Sequence, residues 1–153
     1  MKQIHLECKP DEVLVRALGF PRKVVNHHND KGRVCNKLEK EQGAIGMIDE
    51  DPASPQPTYL KQLIEVENRH GIRLLKDDNR SHHVIVIRPR LEEWILTACA
   101  RQQVDIKLFG LPDKPERLHQ LVTSRLKQFN ELIDHLHAVN CEPILRIQRL
   151  LNS

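Results

Sequence analysis

The run Ala44-Ile45-Gly46-Met47-Ile48, closed by Asp49-Glu50-Asp51 and Pro52, constrains this chain more than any other stretch. Five residues without a polar side chain suit a strand covered on both faces, as in the centre of a parallel sheet. Pro52 cannot donate to a sheet ladder, so such a strand ends there. Asp49 and Asp51 stand at i and i+2, which places both carboxylates on one side of an extended segment. Open α/β sheets bind their ligands at this edge. Two like charges held close repel, and a hard divalent cation such as Mg²⁺ relieves them with oxygen ligands. A lone Asp-x-Asp is by default a solvated acidic turn, so the rest of the chain has to decide.

Around that strand the elements alternate. Gln3 to Cys8 reads as a short strand. Pro10-Asp11-Glu12 then opens a helix with proline in its first turn and acids at its positive end. Val13, Leu14, Ala17 and Leu18 form its apolar stripe, and Gly19 ends it. Lys23 to Asn26 is a second strand, and Asn29-Asp30 caps a helix over Lys31 to Gln42. After the prolines of the loop from Asp51 to Thr58, the spacing of Leu60, Leu63, Ile64 and Val66 predicts a helix from Tyr59 to His70. Ile72 to Leu75 and Val84 to Ile87 are strands around the turn Asp77-Asp78-Asn79-Arg80. Pro89 introduces a helix from Leu91 to Gln102. The order β-α-β-α-β-α-β-β-α predicts a doubly wound, mainly parallel sheet with helices on both faces.

From Lys114 to Ala138 the apolar residues recur at helical spacing, and Pro143 starts a last helix with Ile144, Leu145, Ile147 and Leu150. This pair reads as a helical hairpin. The expected organisation is an α/β domain over residues 1–110 and a hairpin over 111–153, packed on that domain or on a partner.

With 153 residues, 39% of them hydrophobic, the chain is long enough for one domain with a sizeable core. No apolar run approaches the roughly 20 residues of a membrane span. The N-terminus lacks a signal-peptide core, and the scattered cysteines Cys8, Cys35, Cys99 and Cys141 read as free thiols in a reducing cytoplasm. A net charge of +3 does not by itself diagnose nucleic-acid binding. Aromatics are few, which argues against a base-stacking platform. The pairs His27-His28, His82-His83 and His135-x-His137 lack a zinc-site pattern and read as solvent-exposed.

Glu7 ends the first strand, and strands one and three are commonly neighbours in such sheets, so Glu7, Asp49 and Asp51 are expected to converge. Asp11 follows four residues after Glu7. On the helix from Leu91, Glu92 lies about 110° from the centre of the apolar stripe and Glu93 about 150°. Glu92 therefore lines the edge of the packed face, and Glu93 points to solvent. Lys107 and Lys114 are weak candidates for a transition-state cation, with solvated surface lysines as the default. A haloacid-dehalogenase reading wants the acidic pair on the first strand. A phosphoreceiver wants two acids at the first strand's end.

Glu7 in Glu-x-x-x-Asp, the segment Asn29-Asp30-Lys31-Gly32, the strand ending in Asp49-x-Asp51 and the Glu92-x-Trp-Ile-Leu helix occur in one order. In that order the chain resembles the Toprim domain, in the small form of the overcoming-lysogenization-defect (OLD) and RloB-like nucleases, over roughly residues 3 to 105. The resemblance implies a compact α/β fold, Mg²⁺ or Mn²⁺, and phosphodiester chemistry on DNA or RNA in a phage-defence or mobile-element setting. It implies that Glu7 is a metal ligand or general acid/base, that Asp49 and Asp51 hold metal, and that Asp11 and Glu92 are catalytic acids. Cys8 departs from the glycine many Toprim domains carry after the glutamate. No GxxxxGK[ST] loop is present, so an ATPase of the OLD kind would be a separate partner protein. Oligomers are compatible with this reading. The rival readings are a degenerate Toprim-like module that binds a partner or nucleic acid without cleaving it, and a primase-like nucleotidyl transferase.

Overall fold

The computed structural model describes all residues from Met1 to Ser153. Six strands form one mixed sheet in the order β2-β1-β3-β6-β5-β4. They are β1 (Ile4–Leu6), β2 (Val25–His27), β3 (Ile45–Asp49), β4 (Ile64–Arg69), β5 (Ile72–Asp77) and β6 (His82–Ile87). The pairs β1·β2, β1·β3 and β3·β6 are parallel, whereas β5 and β4 are added antiparallel on the far side. The chain moves outward from β1 to β2, then returns to place β3 on the other side of β1. Right-handed crossovers in opposite directions put the two connecting helices on opposite faces. These are α1 (Lys9–Ala17) and α2 (Lys31–Lys40).

The alternation of side chains along each strand separates two cores. Ile45 and Met47 of β3 join Ile4, Leu6, Ile85 and Ile87 against α1 and the later helices. Ile48 joins Val84 and Val86 against Val34, Cys35 and Leu38 of α2 and Tyr59 of the one-turn helix α3 (Thr58–Lys61). The apolar run is thus covered on both faces, as its composition requires. Gly46 permits the close approach of α2, since a Cβ there would meet Leu38 Cδ1 at 2.8 Å.

Two elements differ from expectation. Tyr59 to His70 is not one helix: α3 stops at Lys61, and Ile64–Arg69 forms the edge strand β4, every residue of which is exposed. The deciding contact lies beyond the window that gave the helical spacing. His70 and Gly71, at φ 56° and 70°, make a two-residue turn that pairs Arg69 with Ile72. The tail is also broken into three helices, α5 (Pro115–Leu121), α6 (Leu126–Ala138) and α7 (Glu142–Leu151), after α4 (Leu91–Arg101). Leu118, Phe129, Leu136 and Ile147 share one continuous core with Ile4, Met47 and Ile85 of the sheet. No helix is long and apolar enough to cross a membrane.

Candidate functional site

Because β1, β2, β3 and β6 are parallel, the segments that follow them open on one edge. The crevice between β1 and β3 is where the chain reverses its direction across the sheet, the usual place for a ligand. Glu7 and Asp49 meet there. Glu7 Oε1 accepts a hydrogen bond of 2.7 Å from the Asp49 backbone N–H. Burial raises the Glu7 carboxyl above its ordinary range, with Asp51 and Asp30 adding to the rise, and the bond from Asp49 and the charge of Lys31 oppose it.

The three acids after β3 go to three places. Asp49 turns inward, towards Asp11 and Glu92. Glu50 pairs with Arg88 at 2.8 Å and Arg73 at 3.5 Å. Asp51 has φ 37°, so the segment is no longer extended and the i, i+2 alternation that would have kept Asp49 and Asp51 on one side does not apply. Asp51 instead lines, with Glu7, Asn29, Asp30 and Lys31, an open cleft of about 620 Å³.

Behind Glu7 the carboxylates are crowded. Asp11, in the first turn of α1, is 1% exposed. Its Oδ2 accepts from Cys8 Sγ at 3.1 Å, while its Oδ1 has no partner. Cys8 therefore acts as a hydrogen-bond donor to Asp11. Burial, and then the charge of Asp11, push the Cys8 thiol far up, so it is a neutral hydrogen-bond donor and not a nucleophile. Burial is also the main reason that Asp11 and Asp49 are both raised, and they are raised further by each other's surroundings: Glu7 and Glu92 act on both, and Asp11 acts on Asp49. The nearby Leu91 backbone N–H at the start of α4 lowers Asp49 in part, and Asp49 Oδ1 is buried without a partner. Glu92 is 6% exposed, more deeply buried than a residue at the edge of the packed face. Glu93, on the outer side, is bonded to Arg90 at 3.0 and 3.1 Å.

Two participants escaped the sequence reading. His119 of α5 bonds through Nδ1 to Glu92 Oε1 at 2.9 Å, so the tail supplies a side chain to the acid cluster. Nothing local marks it, because its 27-residue separation from Glu92 is bridged only by the packing of α5 on α4. Lys31, 7% exposed, was visible as part of the basic segment after β2, but its job was not. Its Nζ donates to Glu50 O at 2.7 Å, Ser54 Oγ at 3.1 Å and Gln56 Oε1 at 3.3 Å, and so staples the proline loop across the cleft. Lys107 and Lys114 are exposed and do not line the cleft.

No three His, Cys, Asp or Glu side chains are arranged around one point so as to hold a metal ion. Two buried carboxylate oxygens, Asp11 Oδ1 and Asp49 Oδ1, nonetheless lack any partner, and carboxylate oxygens are the ligands that a hard cation takes. Mg²⁺ takes one or two protein carboxylates and completes its shell with water and phosphate, and Glu7 and Asp49 are the two acids that meet at the crevice. The histidines offer no competing site. His82, expected at the surface, is fully buried, accepting from the Ala44 N–H at Nδ1 and donating to Leu38 O through Nε2. No family model matches the chain, and no curated protein or solved structure matches it either.

Proposed function

We propose that this chain is a Toprim-like, Mg²⁺-dependent phosphodiester hydrolase acting on nucleic acid. The observation that carries the reading is the meeting of Glu7 and Asp49 at the β1/β3 crevice, backed by the buried acids Asp11 and Glu92. A structural role alone would favour replacing such a set by neutral groups, since uncompensated buried carboxylates are costly. A bound Mg²⁺ or Mn²⁺ would balance them and supply an activated water and charge relief at the phosphate.

The residues of the chain divide the remaining work. Glu7, held by the Asp49 N–H and open to the cleft, is placed to take a proton from water or return one to the leaving oxygen. Asp49, beside Glu7 at the crevice, would hold the cation on its inner side, and Asp51 would reach it only from the cleft that it lines with Glu7. Asp11 and Glu92 set the charge density behind them, and His119 gives Glu92 a fixed hydrogen-bond partner. The free thiols suit a reducing cytoplasm. A partner protein such as an ATPase belongs to the same proposal, because the chain has no nucleotide loop of its own.

Incubation with DNA and RNA in Mn²⁺ should give cleavage that Glu7→Gln abolishes without loss of fold. In parallel, millimolar Mn²⁺ should raise the melting temperature of the wild type, because a ligand that binds only the native state stabilises it by mass action. It should not raise that of Asp49→Asn/Asp51→Asn. Equal Mn²⁺ stabilisation of the double variant refutes the metal site. A non-catalytic module is the reading favoured by the absence of a ready three-donor group, and it predicts nucleic-acid binding with neither cleavage nor Mn²⁺ stabilisation.

A further inference from the structure

On the other side of α4 a second concavity, of about 260 Å³, is walled by His70, Arg88, Trp94, Arg101 and Pro143. Its frame is rigid. The Trp94 indole N–H donates to His70 O at 2.9 Å, and the Arg88 N–H donates to Gly71 O at 2.8 Å, so the β4–β5 turn is fastened to α4 and to the end of β6. Gly71 lies so close to the indole that a Cβ there would meet Trp94 Cδ1 at 2.8 Å.

The charges around it are one-sided. Burial and then Arg101, Arg69 and Arg146 hold His70 below the ordinary histidine range, against a single opposing acid, Glu142. That acid is engaged by Arg149, Glu67 by Arg146, and Glu50 by Arg88. Arg69 and Arg101 remain without an acidic partner, and both are exposed. Arg101 walls the pocket and Arg69 stands near His70 at its edge, and guanidinium groups recognise phosphate with paired hydrogen bonds.

We propose that this pocket is a phosphate subsite for the strand that the acid cluster cleaves, with Arg69 and Arg101 contacting its backbone. The proposal rests on the hydrolase reading for its ligand but not for its test. Arg101 lies nine residues along α4 from Glu92, a rise of roughly 14 Å. At about 3.4 Å per nucleotide of one strand, the pocket stands some four nucleotides from the acids. Arg88 joins the two sites, since it walls the pocket and grips Glu50 next to Asp49.

Binding of a fluorescein-labelled single-stranded 20-mer is measured by anisotropy in EDTA, where no metal-dependent cleavage intervenes. Arg69→Ala/Arg101→Ala should weaken Kd at least tenfold and flatten the salt dependence by about 0.7 in slope for each phosphate that is no longer neutralised. Circular dichroism should match the wild type, as both side chains are exposed. Emission from Trp94, the only tryptophan, should change on binding in the wild type and not in the variant. An unchanged Kd and salt slope overturns the subsite. Saturable binding of pyrophosphate with no binding of the 20-mer overturns the strand as its ligand. Arginine-dependent 20-mer binding without cleavage in Mn²⁺ sustains the subsite while refuting the hydrolase, and cleavage indifferent to the two arginines does the reverse.

Discussion

Asp49 is buried near the start of α4, where Asp11, Glu7 and Glu92 crowd it with like charge. Its native carboxyl, like that of Asp11, keeps a proton that the unfolded chain releases from about pH 4 upward. The stability these groups contribute is full below that range and is lost as pH rises, because the native state then holds more protons than the unfolded one. Metal-free Asp49→Asn should therefore melt higher than wild type at pH 8, by about 2–4 °C for each kcal/mol of repulsion removed. The difference should vanish near pH 4, and thermal melts across that range check it. A second residue-scale device works on the opposite side of neutrality. His5 is buried between Glu41, at 2.7 Å from Nε2, and His28, at 2.8 Å from Nδ1. Burial, and then His5, lower the His28 pKa. The native ring stays neutral while the unfolded one takes a proton, so this contribution is full above about pH 6.5 and is lost below it. His28→Asn should lose less stability than wild type between pH 7.5 and 5.5 in the same melts.

At the scale of elements, the segment from Thr58 to Gly71 shows what a short window misses. Leu60, Leu63 and Ile64 fit a helical stripe, yet Ile64 and Val66 stand 59% and 52% exposed on an edge strand. A register shift between Glu65 and Glu67 interrupts β4, which discourages another strand from adding there. What holds β4 is its turn. Gly71→Ala combines a left-handed backbone with a collision against Trp94, and should cost roughly 1–3 kcal/mol by chemical denaturation. Gly19→Ala has φ 100° but nothing within 4 Å of the new Cβ, and should cost less. Equal losses at the two sites would show that the Trp94 contact contributes nothing.

Across the whole molecule, the helices after Gly110 are part of the core and also deliver His119 to Glu92. Phe129 is 1% exposed. Phe129→Ala should cost about 3–5 kcal/mol in denaturant unfolding. A smaller loss with intact α/β signal would show that the tail is only docked. The strands β1, β3 and β6, the helices α1, α2 and α4, and the loop after Asp51 were legible in the sequence, because period, caps and prolines act over a few residues. Glu7 and Asp49 were legible as a pair because a parallel sheet places the ends of its strands on one edge. Helical period placed Glu92 only at the edge of the packed face, and the packing of α5 on α4 buries it further. Only the tertiary structure decided that Asp51 turns away from Asp49 into the cleft, that Lys31 fastens the loop, that His119 reaches Glu92, and that β4 is a strand. Each of these rests on a contact between segments far apart in the chain or on a backbone angle imposed by one. Local propensity amounts to tenths of a kcal/mol per residue, and burial amounts to kcal/mol per side chain, so the distant contacts prevail.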